Sequence, residues 1–323
     1  MIKKIENVKI NNPINQLKLI GYKYYFDSFK NLFEKNSLPN SILLTGPKGS
    51  GKATFVYHFV NFLLSKKEEF SYSYDDFSIN ENNKSYNQVL NNTHANFSLI
   101  DVSSFEKNIK IADIRNTINF LNKSSFSSGI KIVVIDNAEL LNTHSYNALL
   151  KSLEEPDENT FFFIIHNSAY KIIDTIKSRC IEFKIFFNLE EKKKILTKLL
   201  DQNDVAYDSN TIEEAFYFDT PGNILKYLLI LKESQIDFLK DKLSSISFLI
   251  NSYNKKNDPY ILSFISLLIE LFYYDLSLKN NENLNSYSFN KYKLIKNLNE
   301  AEKFNLDKKN IFLSVLDTLQ NEQ

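Results

Sequence analysis

The sequence predicts an α/β region followed by an all-α remainder: a parallel sheet covered by helices on both faces, then smaller helical domains. Three observations carry this. Up to about residue 187, short continuous apolar runs alternate with segments of helical period, the pattern of a parallel sheet buried on both faces. At one joint between an apolar run and a helix stands GPKGSGKAT, Gly46 to Thr54, where three of the chain's six glycines fall within six residues. Beyond about Asn188 the strand signal stops and only helical periodicity continues.

Taken in order, residues 22–35 (YKYYFDSFKNLFEK) form an amphipathic helix with Phe26, Phe29 and Phe33 on one side. SILLT (41–45) is a short buried strand. The Gly-rich turn follows, then a helix from about Lys52 to Ser65. Residues 66–93, rich in Ser, Asn and Lys, read as an insertion or loop. Phe97 to Val102 is a second strand. Ile111, Ile114, Ile118 and Leu121 form one stripe of a helix, and Ile130 to Ile135 is a strand ending at Asp136. Tyr146, Leu149, Leu150 and Leu153 follow i, i+3, i+4, i+7, so a helix closes before Pro156. Phe161 to Ile165 and Ile181 to Phe187 are the remaining strands. Residues 189–236 read as short helices broken at Thr220-Pro221-Gly222, and residues 240–323 as longer ones with an Asn-rich turn at 279–286. Right-handed crossovers bring the strand C-termini to one edge, where the Gly-rich turn, Asp136 and His166-Asn167 meet.

Composition narrows the function. Lys+Arg and Asp+Glu balance at 39 each, so only a local patch can meet DNA. The lone cysteine, Cys180, excludes a disulfide framework and a multi-cysteine zinc site and fits a reducing, cytoplasmic setting. MIKKIENVKINNP lacks the apolar core of a signal peptide. The most apolar run, Tyr260 to Tyr274, carries Glu270 and reads as a buried helix, so no membrane partner is expected. Among the 39 basic residues only Arg115 and Arg179 are arginines. Lysine cannot reproduce a planar five-donor fork, so both positions need a reason.

A strand, then Gly46, Pro47, Lys48, Gly49, Ser50, Gly51 and Lys52, then a helix, is the context of a phosphate-binding loop. Its backbone N–H groups and the helix N-terminus favour phosphate, and Lys52 is set beside the β- and γ-phosphates. Hydrolysis is another matter. Mg²⁺ in such sites takes the hydroxyl after the lysine, and here that residue is Ala53; Thr54 is rotated by roughly 100° along the helix. In KIVVIDNAE, Asp136 is set to hold Mg²⁺ or its water, but the water-activating position is Asn137, and an amide is no base. Glu139 is expected to face elsewhere. ATP or ADP bound without hydrolysis is compatible with what remains, with Asn167 orienting a phosphate or water; no cofactor is required.

The block IDNAELLNTHSYNALLKSLEEPDENTFFFIIHN, followed by IIDTIKSRC, resembles the clamp-loader branch of the AAA+ ATPases. N-A-L-L-K-x-L-E-E-P and S-R-C are its strongest signatures. The G-K-A-T loop and degenerate acidic motif are similar to the delta-prime type of bacterial DNA polymerase III clamp-loader subunit. TPGNILKYL (220–228) is similar to the lid of that family and NLDKKNIFLSVL (305–316) to part of its collar. The resemblance implies a RecA-like AAA+ domain over 1–187, a helical lid over 188–238 and a helical collar for oligomerisation over 239–323. It implies gamma/tau- and delta-type partners in a five-membered ring, with the sliding clamp and primed DNA reached through the complex. It implies a subunit with little ATPase of its own that offers Arg179 as a finger to a neighbour's ATP; the alternative is an active gamma/tau-type ATPase. This chain departs from the pattern in lacking the four-cysteine zinc module of many such subunits, in Asn223 where a lid arginine is usual, and in His166-Asn167 at the strand-end sensor position.

Other residues admit plainer readings. Arg115 is open to DNA phosphate, a neighbouring subunit or an ion pair with Asp113 or another nearby acid. Glu154 and Glu155 read as structural or interfacial. Cys180 reads as a small buried residue, and His58 and His144 lack metal-ligand spacing. The 27 Phe and 18 Tyr, with no Trp, indicate an aromatic core.

Overall fold

The computed structural model of the chain describes residues 12–102, 109, 111–123, 129–205, 219–231, 240–256, 259–304 and 306–322. The chain divides into two compact units, Ile10–Glu191 and Lys192–Gln323. The first contains α1 (Lys23–Glu34), β1 (Ser41–Gly46), α2 (Lys52–Leu64), α3 (Lys84–Leu90), β2 (Phe97–Ile100), α4 (Ile111–Asn122), β3 (Lys131–Ile135), α5 (Thr143–Glu154), β4 (Thr160–Asn167), α6 (Asp174–Lys177) and β5 (Ile181–Lys184). The division falls in the first turn of α7 (Leu189–Gln202). The predicted alternation of strand and helix is therefore present.

The five strands form one sheet in the order β2-β3-β4-β1-β5, and every pairing is parallel. β1, β3 and β4 are central and buried almost throughout, as continuous apolar runs require. β2 and β5 are edges. Both end earlier than the apolar runs, because pairing stops at Ile100 and Lys184 even though apolar sequence continues to Val102 and Phe187. One face packs on α4 and α5 through Leu43, Ile114, Val133, Leu149, Leu153, Phe162 and Ile164. The other face is aromatic. Phe26 and Phe29 of α1 meet Phe59 of α2 edge-on at 5.5 Å, and Phe29 meets Phe183 of β5 at 4.7 Å. Such pairs add to the burial of their rings.

Residues 66–93 are not a plain loop. Tyr72 stacks on Phe26 at 5.2 Å, and its N–H donates to Ser65 Oγ. Asn83 is fully buried; its Oδ1 caps α3 at the Tyr86 N–H and accepts from Asn61, while its amide donates to the Phe70 carbonyl. Leu17 and Leu19 exchange backbone hydrogen bonds with Ile79 and Phe77. The polar composition hid this order because the asparagines supply internal hydrogen bonds rather than solvent contacts.

The second unit, described by itself, holds the rest of α7, then α8 (Pro221–Leu231), α9 (Lys242–Lys256), α10 (Pro259–Lys279), α11 (Leu284–Lys303) and α12 (Lys309–Gln320). The parts of the 189–236 reading that fall on 206–218 and 232–236 lie outside the described residues, as does Asn305. α10 packs against α9 and α11, and α9 against α12. Tyr260–Lys279 is long and apolar enough to cross a membrane by length and composition alone. Its Phe264, Ile265, Leu268, Ile269 and Leu271 are nevertheless fully buried among the helices, and Glu270 pairs with Lys291 at 3.0 Å.

His58 of α2 gives this fold a pH signature. It is fully buried. Its Nε2 lies 2.9 Å from the Gln16 carbonyl, so Nε2 carries the hydrogen and Nδ1 accepts from the Tyr72 hydroxyl at 3.1 Å. Burial lowers its pKa from 6.5 to about 4. The unfolded chain therefore takes up a proton between those values that the folded one refuses. Stability is fully present above pH 6.5 and is lost as pH falls toward 4. By pH 5 the loss is about 2 kcal/mol. Denaturant titrations at pH 7 and pH 5 should show His58→Gln losing about that much less than wild type; equal losses would contradict the assignment.

Candidate functional site

The register of β1 on β4 pairs Thr45 with His166 and Gly46 with Asn167. The turn after β1 thus opens beside the end of β4, and Asp136 comes directly after β3, its N–H bonded to the Ile100 carbonyl. Gly46, Asp136 and Asn167 meet at this edge as predicted. Gly49 (φ 80°) and Gly51 (φ 95°) adopt the left-handed backbone that favours glycine. A Cβ on Gly51 would sit 3.2 Å from the Tyr22 ring, and one on Gly46 only 2.8 Å from the Ile185 carbonyl. Tyr22 also donates to the Ser50 carbonyl at 3.1 Å. Sequence reasoning misses Tyr22, since nothing marks it beyond its place just before α1.

Lys52 starts α2 and is buried. Its Nζ donates to the carbonyls of Gly46 (2.8 Å) and Pro47 (2.7 Å). Two of its three hydrogens are thereby engaged by the loop itself. Burial lowers its pKa to about 8, against the opposing charges of Glu139 and Asp136. Ser50 folds back onto the Pro47 carbonyl through Oγ. Pro47, Lys48, Gly49, Ser50 and Gly51 form the turn between β1 and α2, while Ala53 and Thr54 lie in α2. Ala53 has no oxygen for Mg²⁺, so the residues fit a phosphate group better than they fit a hydrolytic metal.

The acidic edge explains Asn137. Asn137 has a left-handed backbone (φ 53°, ψ 48°), its N–H donates to Asp136 Oδ1 at 2.8 Å, and its amide donates to Asp101 Oδ1 at 2.8 Å. A carboxylate there would keep the backbone N–H to Asp136 but lose the side-chain donor to Asp101. Burial, then the Asp101 charge, raises the Asp136 carboxyl to about 7; the Asn137 N–H and Lys52 pull the other way. Glu139 does not face elsewhere. The left-handed turn leads into a short 3₁₀ turn, Ala138–Leu140, and Glu139 Oε2 accepts the Asn167 N–H at 3.1 Å. The Asn167 side chain accepts from the Ala169 N–H at 3.2 Å. His166 is buried with neither ring nitrogen hydrogen-bonded among the described residues, and burial lowers its pKa.

Arg179 is elsewhere. It ends the turn after α6 and precedes β5. Its Nε donates to Glu154 Oε1 at 2.6 Å, Nη2 pairs with the same oxygen, and Nη1 donates to the Thr175 carbonyl (3.0 Å) and Ser178 Oγ (3.2 Å). β5 is parallel to β1 with Ile181 beside Ile42, four residues before Gly46. Arg179 lies two residues further back. At about 3.3 Å per residue it is on the order of 15–20 Å along the strands from this chain's own phosphate loop. Cys180 is buried and its thiol is pushed up to about 12 by burial, so it is no nucleophile at neutral pH.

The remaining candidates do not join these sites. Arg115 is exposed on α4, and the ion pairs among the described residues do not include it. Asn223, in the second unit, donates to Asp219, which also accepts from Tyr227 and the Thr220 N–H at the start of α8. Ser85, His94 and Glu68 cluster, but Asn96 N–H donates to His94 Nδ1, so Nε2 carries the hydrogen and cannot act as base toward Ser85. Among the described residues no group of three His, Cys, Asp or Glu could hold a metal.

The family model described as DNA polymerase III, delta subunit, matches residues 22–187. A DNA polymerase III subunit delta' of Pseudomonas aeruginosa is 29% identical over 143 residues, 44% of this chain and 42% of that protein. One of Buchnera aphidicola subsp. Baizongia pistaciae is 30% identical over 151 residues, 47% and 43% of the two chains. A DNA polymerase III subunit gamma of Buchnera aphidicola subsp. Schizaphis graminum is 25% identical over 259 residues, 78% of this chain and 68% of that one. The match thus spans less than half the length of either delta' relative.

The raised Asp136 pKa sets a test of the acidic edge. The folded chain keeps a proton between pH 4 and 7 that the unfolded chain has released, so stability is full below pH 4 and is lost as pH rises through 7. Asp136→Asn should raise Tm more at pH 8 than at pH 5, by a few degrees or about 1–2 kcal/mol for a partly exposed carboxyl. Equal gains at both pH values would contradict the shift.

Proposed function

The chain belongs to the family described as DNA polymerase III, delta subunit, and from that premise we propose that it is a delta-prime-type subunit of the bacterial clamp loader. On this reading it hydrolyses little or no ATP itself. It supplies Arg179 to ATP held by a neighbouring gamma/tau-type subunit, within a five-membered ring that loads the sliding clamp onto primed DNA. Residues 1–187 act as the AAA+ domain, 188–238 as lid and 239–323 as collar. Its own loop holds ATP or ADP, if any, as a structural ligand.

One observation carries the reading. Arg179 stands at the opposite end of the sheet from this chain's Lys52, because β5 begins where β1 begins. A guanidinium there is out of reach of its own loop, which supports a role toward a nucleotide held by another chain. The residue beside Lys52 and the residue beside Asp136 support the same view, since Ala53 cannot bind Mg²⁺ and Asn137 cannot activate water. The gamma-named relative, which matches 78% of this chain, favours the second reading, an active gamma/tau-type ATPase.

One measurement separates these and a second tests the finger. Purified alone with ATP, Mg²⁺ and primed DNA, the chain should turn over far below one per second; turnover on the order of one per second favours the active ATPase. In a complex reconstituted with gamma/tau- and delta-type subunits, Arg179→Ala should cut ATP hydrolysis at least tenfold while assembly persists, since trans fingers contribute about 10³–10⁵ in rate elsewhere. Unchanged hydrolysis would remove the finger assignment.

A further inference from the structure

Glu154 is the last residue of α5, and Glu155 comes next. Two carboxylates at a helix C-terminus oppose the helix dipole, so neither is explained as a helix end of favourable sign. The structure shows what Glu154 meets. Both Nε and Nη2 of Arg179 point at its Oε1, and Nη1 is taken by the Thr175 carbonyl and Ser178 Oγ. Thr175 is itself braced to α5 through the Tyr146 hydroxyl. Four of the five guanidinium hydrogens are thereby directed, and the fifth, on Nη2, is left over. A lysine could not do this, because it has no Nε–H to anchor while its terminal nitrogen reaches elsewhere.

The pair is partly exposed, at 28% for Arg179 and 44% for Glu154. Exposed ion pairs contribute little to folding, so stability does not account for the arrangement. Orientation does. A free arginine samples many rotamers, and a finger must present its fork in one of them when charge develops on a phosphoryl group.

We propose that Glu154 is a positioning residue for Arg179: it holds the guanidinium ready for a polyphosphate bound by an adjoining subunit. This rests on the finger reading. Glu154 does not touch the reacting atoms. What it supplies is an acceptor oxygen at the right distance, and its negative charge is secondary. The carboxylate and the amide oxygen of glutamine should therefore serve similarly, whereas a shorter or absent side chain should not.

The test uses the reconstituted complex carrying Glu154→Ala, Glu154→Gln, Glu154→Asp or Arg179→Ala in this chain. Glu154→Ala should lower kcat for ATP about tenfold, with KM within about twofold and the Tm of the chain nearly unchanged. Glu154→Gln should restore kcat to within about threefold of wild type. Glu154→Asp, which keeps the charge and withdraws the oxygen by one methylene, should lose activity several-fold, and it stands in for Ala if that variant does not assemble. Wild-type kcat in Ala or Asp, with activity lost in Arg179→Ala, overturns the positioning role and leaves the finger standing. Loss in Gln equal to that in Ala also overturns it. Unchanged kcat in Arg179→Ala would instead remove the finger reading on which the role depends.

Discussion

β1 and β5 run side by side in one direction, with Ile42 against Ile181, and the functional reading depends on that pairing. A parallel ladder gives every strand the same polarity, so a loop leaving one strand and a loop entering another lie at opposite edges of the sheet. The phosphate loop leaves β1. Arg179 sits on the loop entering β5. No rotamer change carries a guanidinium across four rungs of a buried sheet, so the two groups cannot belong to one catalytic centre within this chain. Had β5 been antiparallel, the same sequence would have brought the arginine to its own loop.

At the loop edge, charged and polar side chains are engaged in internal bonds. Lys52 commits two hydrogens to the loop's carbonyls. Asn137 links Asp101 and Asp136, to Asp136 through its backbone N–H and to Asp101 through a side-chain donor that a carboxylate would lack. Glu139 is tied to the end of β4. Each of these bonds ties a side chain of the edge to another part of it. The Arg179 edge is tied in the same way, with α5 and the α6 turn holding one guanidinium from two sides.

Much of this was legible in the sequence. Central strands are apolar on both faces, so SILLT, KIVVI and the run through Phe161–Ile165 identify themselves, and scarce glycines mark the loop where a left-handed backbone is required. Edge strands were overextended, because apolar side chains continue after ladder pairing stops. The 66–93 segment was misread because its order comes from buried Asn83 and from Tyr72 on Phe26, and polar composition does not distinguish solvated asparagine from capping asparagine. Glu139 was misjudged because a single left-handed residue, Asn137, redirects the chain, and only coordinates reveal that. The sequence marks Glu154 only as structural or interfacial; its partner is 25 residues away and is set by tertiary packing, which local periodicity cannot express.

The most direct test is the position of the Arg179 guanidinium in a solved assembly with a non-hydrolysable ATP analogue. The account predicts a nitrogen of that group at hydrogen-bond distance, about 3 Å, from the terminal phosphate of a nucleotide bound to an adjoining subunit. It would be contradicted by a guanidinium facing bulk solvent, or still wholly engaged within its own chain, with every neighbouring triphosphate beyond about 10 Å, a screening length at ordinary salt.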